Sequence, residues 1–122
     1  MAGTKVLIVE DEMIVARDLQ GSLEGMGYEV AGIAVSGRMA VKLATRVRPD
    51  VVLMDIVLKG EMDGIEAAEE IGGLLDVPVI FLTAHSDKQT FARAKMTRPN
   101  GYIVKPFDAK KLQETIEAVL AS

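Results

Sequence analysis

The stretch VVLMDI, residues 51–56, decides the fold: four aliphatic residues, Val51 to Met54, run straight into the carboxylate of Asp55. A short unbroken apolar run led by β-branched valines reads as a strand buried on both faces, the habit of parallel sheets covered by helices. Pro49, just upstream, marks where the preceding element has to stop.

Outward from this run the same kind of segment recurs. Lys5–Val9, Glu29–Ala34, Val79–Leu82 and Tyr102–Val104 are the other strand candidates, beside Val51–Met54 itself. Between them apolar residues recur near the helical period. Val15, Leu19, Leu23 and Met26 form one stripe, and Met39, Ala40, Leu43 and Val47 a second. Ile65, Ala68, Gly72 and Leu75 form a third, and Leu112, Ile116, Val119 and Leu120 the last. The segment from Asp87 to Met96 is weaker, with Phe91, Ala94 and Lys95 toward its contact face. Asp63 before Glu66 and Ser86 before Gln89 resemble capping boxes, and Asp108 can cap the final helix. Gly27 stands where the first helix should end.

The chain therefore reads as (βα)5, an α/β fold with a doubly wound five-stranded parallel sheet and helices on both faces. Among common doubly wound orders, five strands suit the flavodoxin-like arrangement 2-1-3-4-5, although periodicity alone does not fix it. Residues 1–122 are expected to form a single domain, long enough for one core and lacking cysteine. The seven methionines are scattered and read as core filling.

Composition removes several function classes. The net charge is −4 without runs of like charge, and aromatics make up only 4% of the chain, so direct nucleic-acid binding is not expected. The apolar run near the N-terminus is too short for a signal peptide or membrane helix, and the expected location is the cytoplasm.

In a sheet of this kind ligands bind beyond the carboxyl ends of the strands. There the chain offers Glu10, Asp11 and Glu12 after the first strand, Asp55 after the third, Thr83-Ala84-His85 after the fourth and Lys105-Pro106-Phe107 after the fifth. Close carboxylates repel one another and call for a hard cation such as magnesium, which takes one or two carboxylates and shares a phosphate oxygen. Lys105 and Thr83 add a positive charge and a hydroxyl for the other phosphoryl oxygens, and a carboxylate can be the nucleophile. Taken singly, each residue also has a plainer explanation. Asp55 could be a solvated strand end, Thr83 a strand terminus, Lys105 a surface lysine and Tyr102 a packing residue. Glu12 reads as dipole compensation at a helix start, and His85 as a loop residue.

Taken together, VLIVEDE, VVLMDI, MDGIEAA, FLTAHSD and GYIVKPF resemble the response-regulator receiver family of two-component signalling, in family order along nearly the whole chain. The resemblance implies that Asp55 is the phosphoacceptor, phosphorylated by a histidine kinase with magnesium, for which manganese could substitute. It implies metal ligation by Asp11, Asp55 and the backbone carbonyl of Val57, with Glu10 acting through a water. Thr83, the N–H of Ala84 and Lys105 would meet the phosphoryl oxygens, Tyr102 would be the switch aromatic, and the bond before Pro106 would be cis. The output partner is unspecified, with the face of the fourth helix, fifth strand and fifth helix as the expected contact surface. The loop 59–64 departs from the family by one extra residue and the absence of its usual proline. Val57 and His85 stand at positions that tune dephosphorylation. A β-branched residue at 57 cannot hold a hydrolytic water, which implies a long-lived phosphoryl state. The rival functions are an unphosphorylated receiver-like scaffold, an aspartate-nucleophile phosphotransferase or phosphatase, and a flavodoxin-like flavin binder. The acidic trio 10–12 opposes a flavin phosphate, and the chain leaves no residues for a phosphatase cap.

Overall fold

The computed structural model describes residues 3–84, 88–96 and 100–121, with the backbone alone at 88, 90 and 91. Strands and helices alternate throughout: β1 Lys5–Val9, α1 Met13–Gly25, β2 Glu29–Ala34, α2 Gly37–Val47, β3 Val51–Asp55, α3 Gly64–Leu74, β4 Val79–Ala84, α4 Lys88–Met96, β5 Gly101–Lys105 and α5 Ala109–Ala121. All neighbouring strands are parallel, in the order β2-β1-β3-β4-β5.

The alternation of side chains along each strand divides the core into two layers. Leu7, Val9, Val52, Met54 and Phe81 face α2 and α3, where Ala40, Ala44, Ile65, Ala67 and Ile71 meet them. Val6, Ile8, Val51, Leu53, Ile80, Leu82 and Ile103 face the other way, onto Leu19, Leu23, Leu112 and Ile116 of α1 and α5. β3 is buried at every position, as its unbroken apolar run requires.

The helix ends follow local chemistry. Asp63 and Glu66 close a capping box on α3, with each side chain accepting from the other residue's amide at 2.8 and 3.0 Å. Ser36 caps α2 by accepting from Met39, and Asp108 accepts from Lys111. Gly27 takes φ +92 just beyond α1, a conformation that favours glycine. The suggested Ser86 cap lies outside the described residues.

Several expectations are corrected. β3, β4 and β5 run on to Asp55, Ala84 and Lys105, because polar residues there still join the ladder. Gly72 is exposed and Leu75 only half-buried, and the buried stripe of α3 is Ile65, Ala67, Ala68 and Ile71. Met39 and Leu120 are exposed, as is Lys95, while Ala94 is buried as expected and Phe91 lies outside the described side chains. Met54 fills the core, but Met13 and Met96 face solvent, so the methionines are not uniformly core residues. No described helix is long and apolar enough to cross a membrane.

Two glycines of α3 have opposite roles. A Cβ at Gly64 would sit 2.9 Å from Ile56 Cα and closer still to the carbonyl oxygen of Asp55, whereas one at Gly72 would meet nothing within 4 Å. Gly64→Ala is expected to destabilise the fold by about 1–3 kcal/mol through overpacking. Gly72→Ala is expected to stabilise it by about 0.5–1 kcal/mol through helix propensity and lost unfolded-state freedom. Denaturant unfolding of the two variants measures both.

Candidate functional site

Because β1 lies beside β3 and β3 beside β4, the chain leaves the sheet at one edge from three adjacent strands. β5 completes the row, and Lys105 pairs with Ala84 on the last rung. The strand ends thus carry Glu10, Asp11, Asp55, Thr83 and Lys105 to one place. A cavity of ≈ 290 Å³ opens there, bordered by Asp11, Asp55, Thr83, Ala84 and Lys105 and also by Glu12, Val57 and Lys59.

Glu10, Asp11 and Asp55 each offer a carboxylate oxygen within 4.8 Å of the others, close enough to hold one cation. Lys105 Nζ stands 3.0 Å from Asp55 Oδ2 and 3.8 Å from Glu10 Oε1. One ammonium therefore serves two of the three carboxylates. Each carboxylate is also fixed by a backbone amide. Glu10 Oε2 accepts from Glu12 N–H at 3.1 Å, Asp55 Oδ1 from Val57 N–H at 3.1 Å, and Asp11 Oδ2 from Lys59 N–H at 3.0 Å.

Glu10 is 2% exposed, and its Oε1 is buried without a hydrogen-bond partner. Burial first, then the neighbouring carboxylates of Asp55 and Asp11, push its pKa up to about 7, against the opposing pull of the Glu12 amide. An orphaned buried oxygen beside two further carboxylates fits a hard divalent cation with bound waters, which would satisfy the orphan and dilute the repulsion.

Thr83 is buried, and among the described residues its hydroxyl makes a single long contact, 3.4 Å, with the Ala84 carbonyl. The Lys105–Pro106 peptide is cis, as expected. Tyr102 does not border the cavity. It packs, half-buried, against the core layer that contains Phe81, its rung partner, and burial pushes its phenol pKa up. By strand alternation it shares a sheet face with Thr83. Val57 is 57% exposed. Glu12 occupies the N-cap position of α1 without a side-chain cap bond, so it lies before the first turn that was expected to hold it. His85 lies outside the described residues.

Three features had no reading in the sequence. Lys59 serves the site through its amide, which every non-proline residue possesses. Gly64 lets α3 start against the Asp55 carbonyl, a contact that only the folded chain creates. Arg93 of α4 reaches Asp63 Oδ2 at 3.2 Å, tying α4 to the cap of α3.

Comparison with known proteins agrees with this geometry. The family model for the response regulator receiver domain matches residues 6–117. The transcriptional regulatory protein PdtaR of Mycobacterium tuberculosis is 39% identical over 96% of this chain and 57% of its own length. The phyllosphere-induced regulator PhyR of Methylorubrum extorquens is 36% identical over 96% of the chain and 43% of its own length. The chain thus spans about half the length of these curated relatives. Among solved structures, the signal receiver domain of a modulated diguanylate cyclase from Desulfovibrio desulfuricans G20 superposes with a TM-score of 0.90 at 42% identity, covering 96% of this chain and 93% of that one. The receiver domain of a sensor histidine kinase from Pseudomonas aeruginosa PAO1, with magnesium coordinated in its active site cleft, gives 0.88 at 32% identity and covers 99% and 100%.

The raised pKa of Glu10 makes stability depend on pH. The folded carboxyl holds its proton more tightly than the unfolded one, so its contribution is full below 4.5 and is lost as pH rises through about 7. Metal-free protein should therefore melt at progressively lower temperature across that window. Glu10→Gln should flatten the dependence, as thermal unfolding at a series of pH values would reveal.

Proposed function

Because the chain belongs to the response regulator receiver domain family, we propose that Asp55 accepts a phosphoryl group from the phosphohistidine of a histidine kinase, in a reaction that requires magnesium. Asp11, Asp55 and the backbone carbonyl of Val57 would hold the metal, with Glu10 acting through a bound water; manganese could take the same place. The observation that carries this reading is the clustering of the Glu10, Asp11 and Asp55 carboxylates with the Lys105 ammonium at the strand ends, beside a cavity that Asp11, Asp55 and Lys105 line.

In the transfer, an Asp55 carboxylate oxygen forms a bond to phosphorus as the phosphorus–nitrogen bond to the kinase histidine breaks, leaving an acyl phosphate and a free imidazole. Magnesium, when bound, neutralises charge on the phosphoryl oxygens. The Val57 amide on Oδ1 fixes the plane of the Asp55 carboxylate, which is 7% exposed and so cannot turn freely. Lys105, already on Oδ2, is placed to follow the charge onto the phosphoryl group. The weakly engaged Thr83 hydroxyl is free to turn toward a second phosphoryl oxygen, beside the Ala84 N–H.

Phosphorylation then acts as a switch: charge at Asp55 draws Thr83, and the space it leaves on the shared face admits Tyr102. The altered surface is the one formed by α4, β5 and α5, and an output domain or protein reads it. The exposed aliphatic side chain of Val57 offers no group to hold a hydrolytic water, which favours a long-lived acyl phosphate. On this reading the chain catalyses only its own phosphorylation and dephosphorylation, works in the cytoplasm and touches neither membrane nor nucleic acid directly.

Intact mass after brief incubation with acetyl phosphate should show one added phosphoryl group in wild type with magnesium. None should appear without magnesium or in Asp55→Asn. Failure with both acetyl phosphate and a kinase donor would favour the unphosphorylated scaffold. Magnesium at a hundredfold excess over its Kd should stabilise the fold by about 2.7 kcal/mol, and Asp11→Asn should abolish most of that gain. Thr83→Ala should still accept phosphate, but the amide chemical-shift changes on phosphorylation should no longer reach Tyr102.

A further inference from the structure

The three carboxylates of the site are not held in the same way. Glu10 and Asp55 each accept from the amide two residues further along their own loop. Asp11 accepts instead from Lys59, 48 residues away, on the loop between β3 and α3. Asp11 is also more exposed than Glu10 and Asp55, so its orientation depends more on this bond.

The loop that supplies the amide is braced at its far side. Gly60 takes φ +103, turning the chain directly after Lys59. Met62 is half-buried against the core layer of α2 and α3. At Gly37, the first residue of α2, an added Cβ would sit 2.7 Å from the Met62 carbonyl oxygen and 2.9 Å from its Cγ. Only a glycine there lets the loop settle this closely on the helix. Arg38 and Glu61 add an exposed ion pair at 3.8 Å, which contributes little by itself. Lys59 borders both the site cavity and the small cavity between this loop and α2. A continuous packed connection thus runs from the start of α2, through Met62 and Gly60, to the amide on Asp11.

We propose that the Lys59 amide is a positioning group for the cation site: the loop 59–62, seated on Gly37, holds Asp11 Oδ2 and thereby presents Oδ1 to the metal. This inference rests on the magnesium reading above. The hydrogen bond fixes the rotamer of Asp11 before the cation arrives, so less ordering remains for binding to impose. Partners of this kind around a metal ligand affect affinity by about 10–100-fold. The side chain of Lys59 has no part in it.

Magnesium titration of the whole chain, followed by calorimetry, tests the proposal. Lys59→Ala removes the side chain but keeps the amide, and is the reference against which the proline variant is read. Lys59→Pro removes the donor and should weaken binding about tenfold or more, and Gly37→Ala, remote from the metal, should weaken it in the same direction. In metal-free Lys59→Pro the amide resonances of Glu12 and Val57, which hold the other two carboxylates, should stay in place, a result that a general loss of structure would not give. Wild-type affinity in Lys59→Pro, or displacement of those amides along with the lost affinity, overturns the proposal. Should Lys59→Pro not fold, the metal-free protein gives the answer by NMR. Asp11→Ala should shift the Lys59 amide proton strongly upfield, and an unmoved resonance overturns the proposal. A wild-type chain that binds no magnesium overturns the magnesium reading and this inference with it. Magnesium binding by wild type with unaltered binding by Lys59→Pro and Gly37→Ala overturns this inference alone.

Discussion

The ion pair between Lys105 and Asp55, 3.0 Å long, is the contact on which the site depends. Parallel pairing of β1 and β3 brings carboxylates together at one end of the sheet, and nothing in the hydrophobic core relieves their mutual repulsion. Lys105 arrives from the far strand, β5, and is the counter-charge for both Asp55 and Glu10. Burial, with the neighbouring carboxylates of Asp55 and Asp11 behind it, raises the pKa of Glu10. A hard divalent cation would offset the carboxylate charge that the one lysine leaves unbalanced. The five-stranded sheet supplies the rigidity that keeps the site from relaxing, because β3 is buried along its whole length.

Much of this was legible in the sequence, for reasons that differ between fold and site. Buried parallel strands announce themselves as unbroken aliphatic runs, and all five were found. The ends of β1 and β2 were placed as found, while those of β3, β4 and β5 were placed one or two residues early, because hydropathy falls at Asp55 and Lys105 while the hydrogen-bond ladder continues. Helix stripes were found by spacing, which tolerates a shift of one residue. That is how Gly72 was taken for a buried position in place of Ile71. The strand order came from the known economy of doubly wound sheets and not from any residue.

The site was legible where side-chain chemistry carries it. Three acids, a threonine and a lysine at successive strand ends have few joint explanations, even though each alone has a plain one. What stayed hidden was the support beneath them. The amides of Glu12, Val57 and Lys59 orient the carboxylates, and an amide leaves no mark in a sequence. Gly64 was visible as part of a capped helix start, but its closeness to the Asp55 carbonyl exists only once β3 and α3 are packed.

Two connections lead away from Asp55, and they differ in strength. One runs through the interior: Thr83 and Tyr102 share a face of β4 and β5, where packing leaves little slack and a displaced side chain has to be replaced. The other runs along the surface. Gly64 seats the start of α3 against Asp55, and Asp63 divides its carboxylate between the Glu66 amide and Arg93 of α4. A half-exposed ion pair of that kind holds α4 only weakly. The combination suits a switch element. A tightly packed interior route can transmit a change at Asp55, while the outer tie on α4 is weak enough to release without endangering the fold.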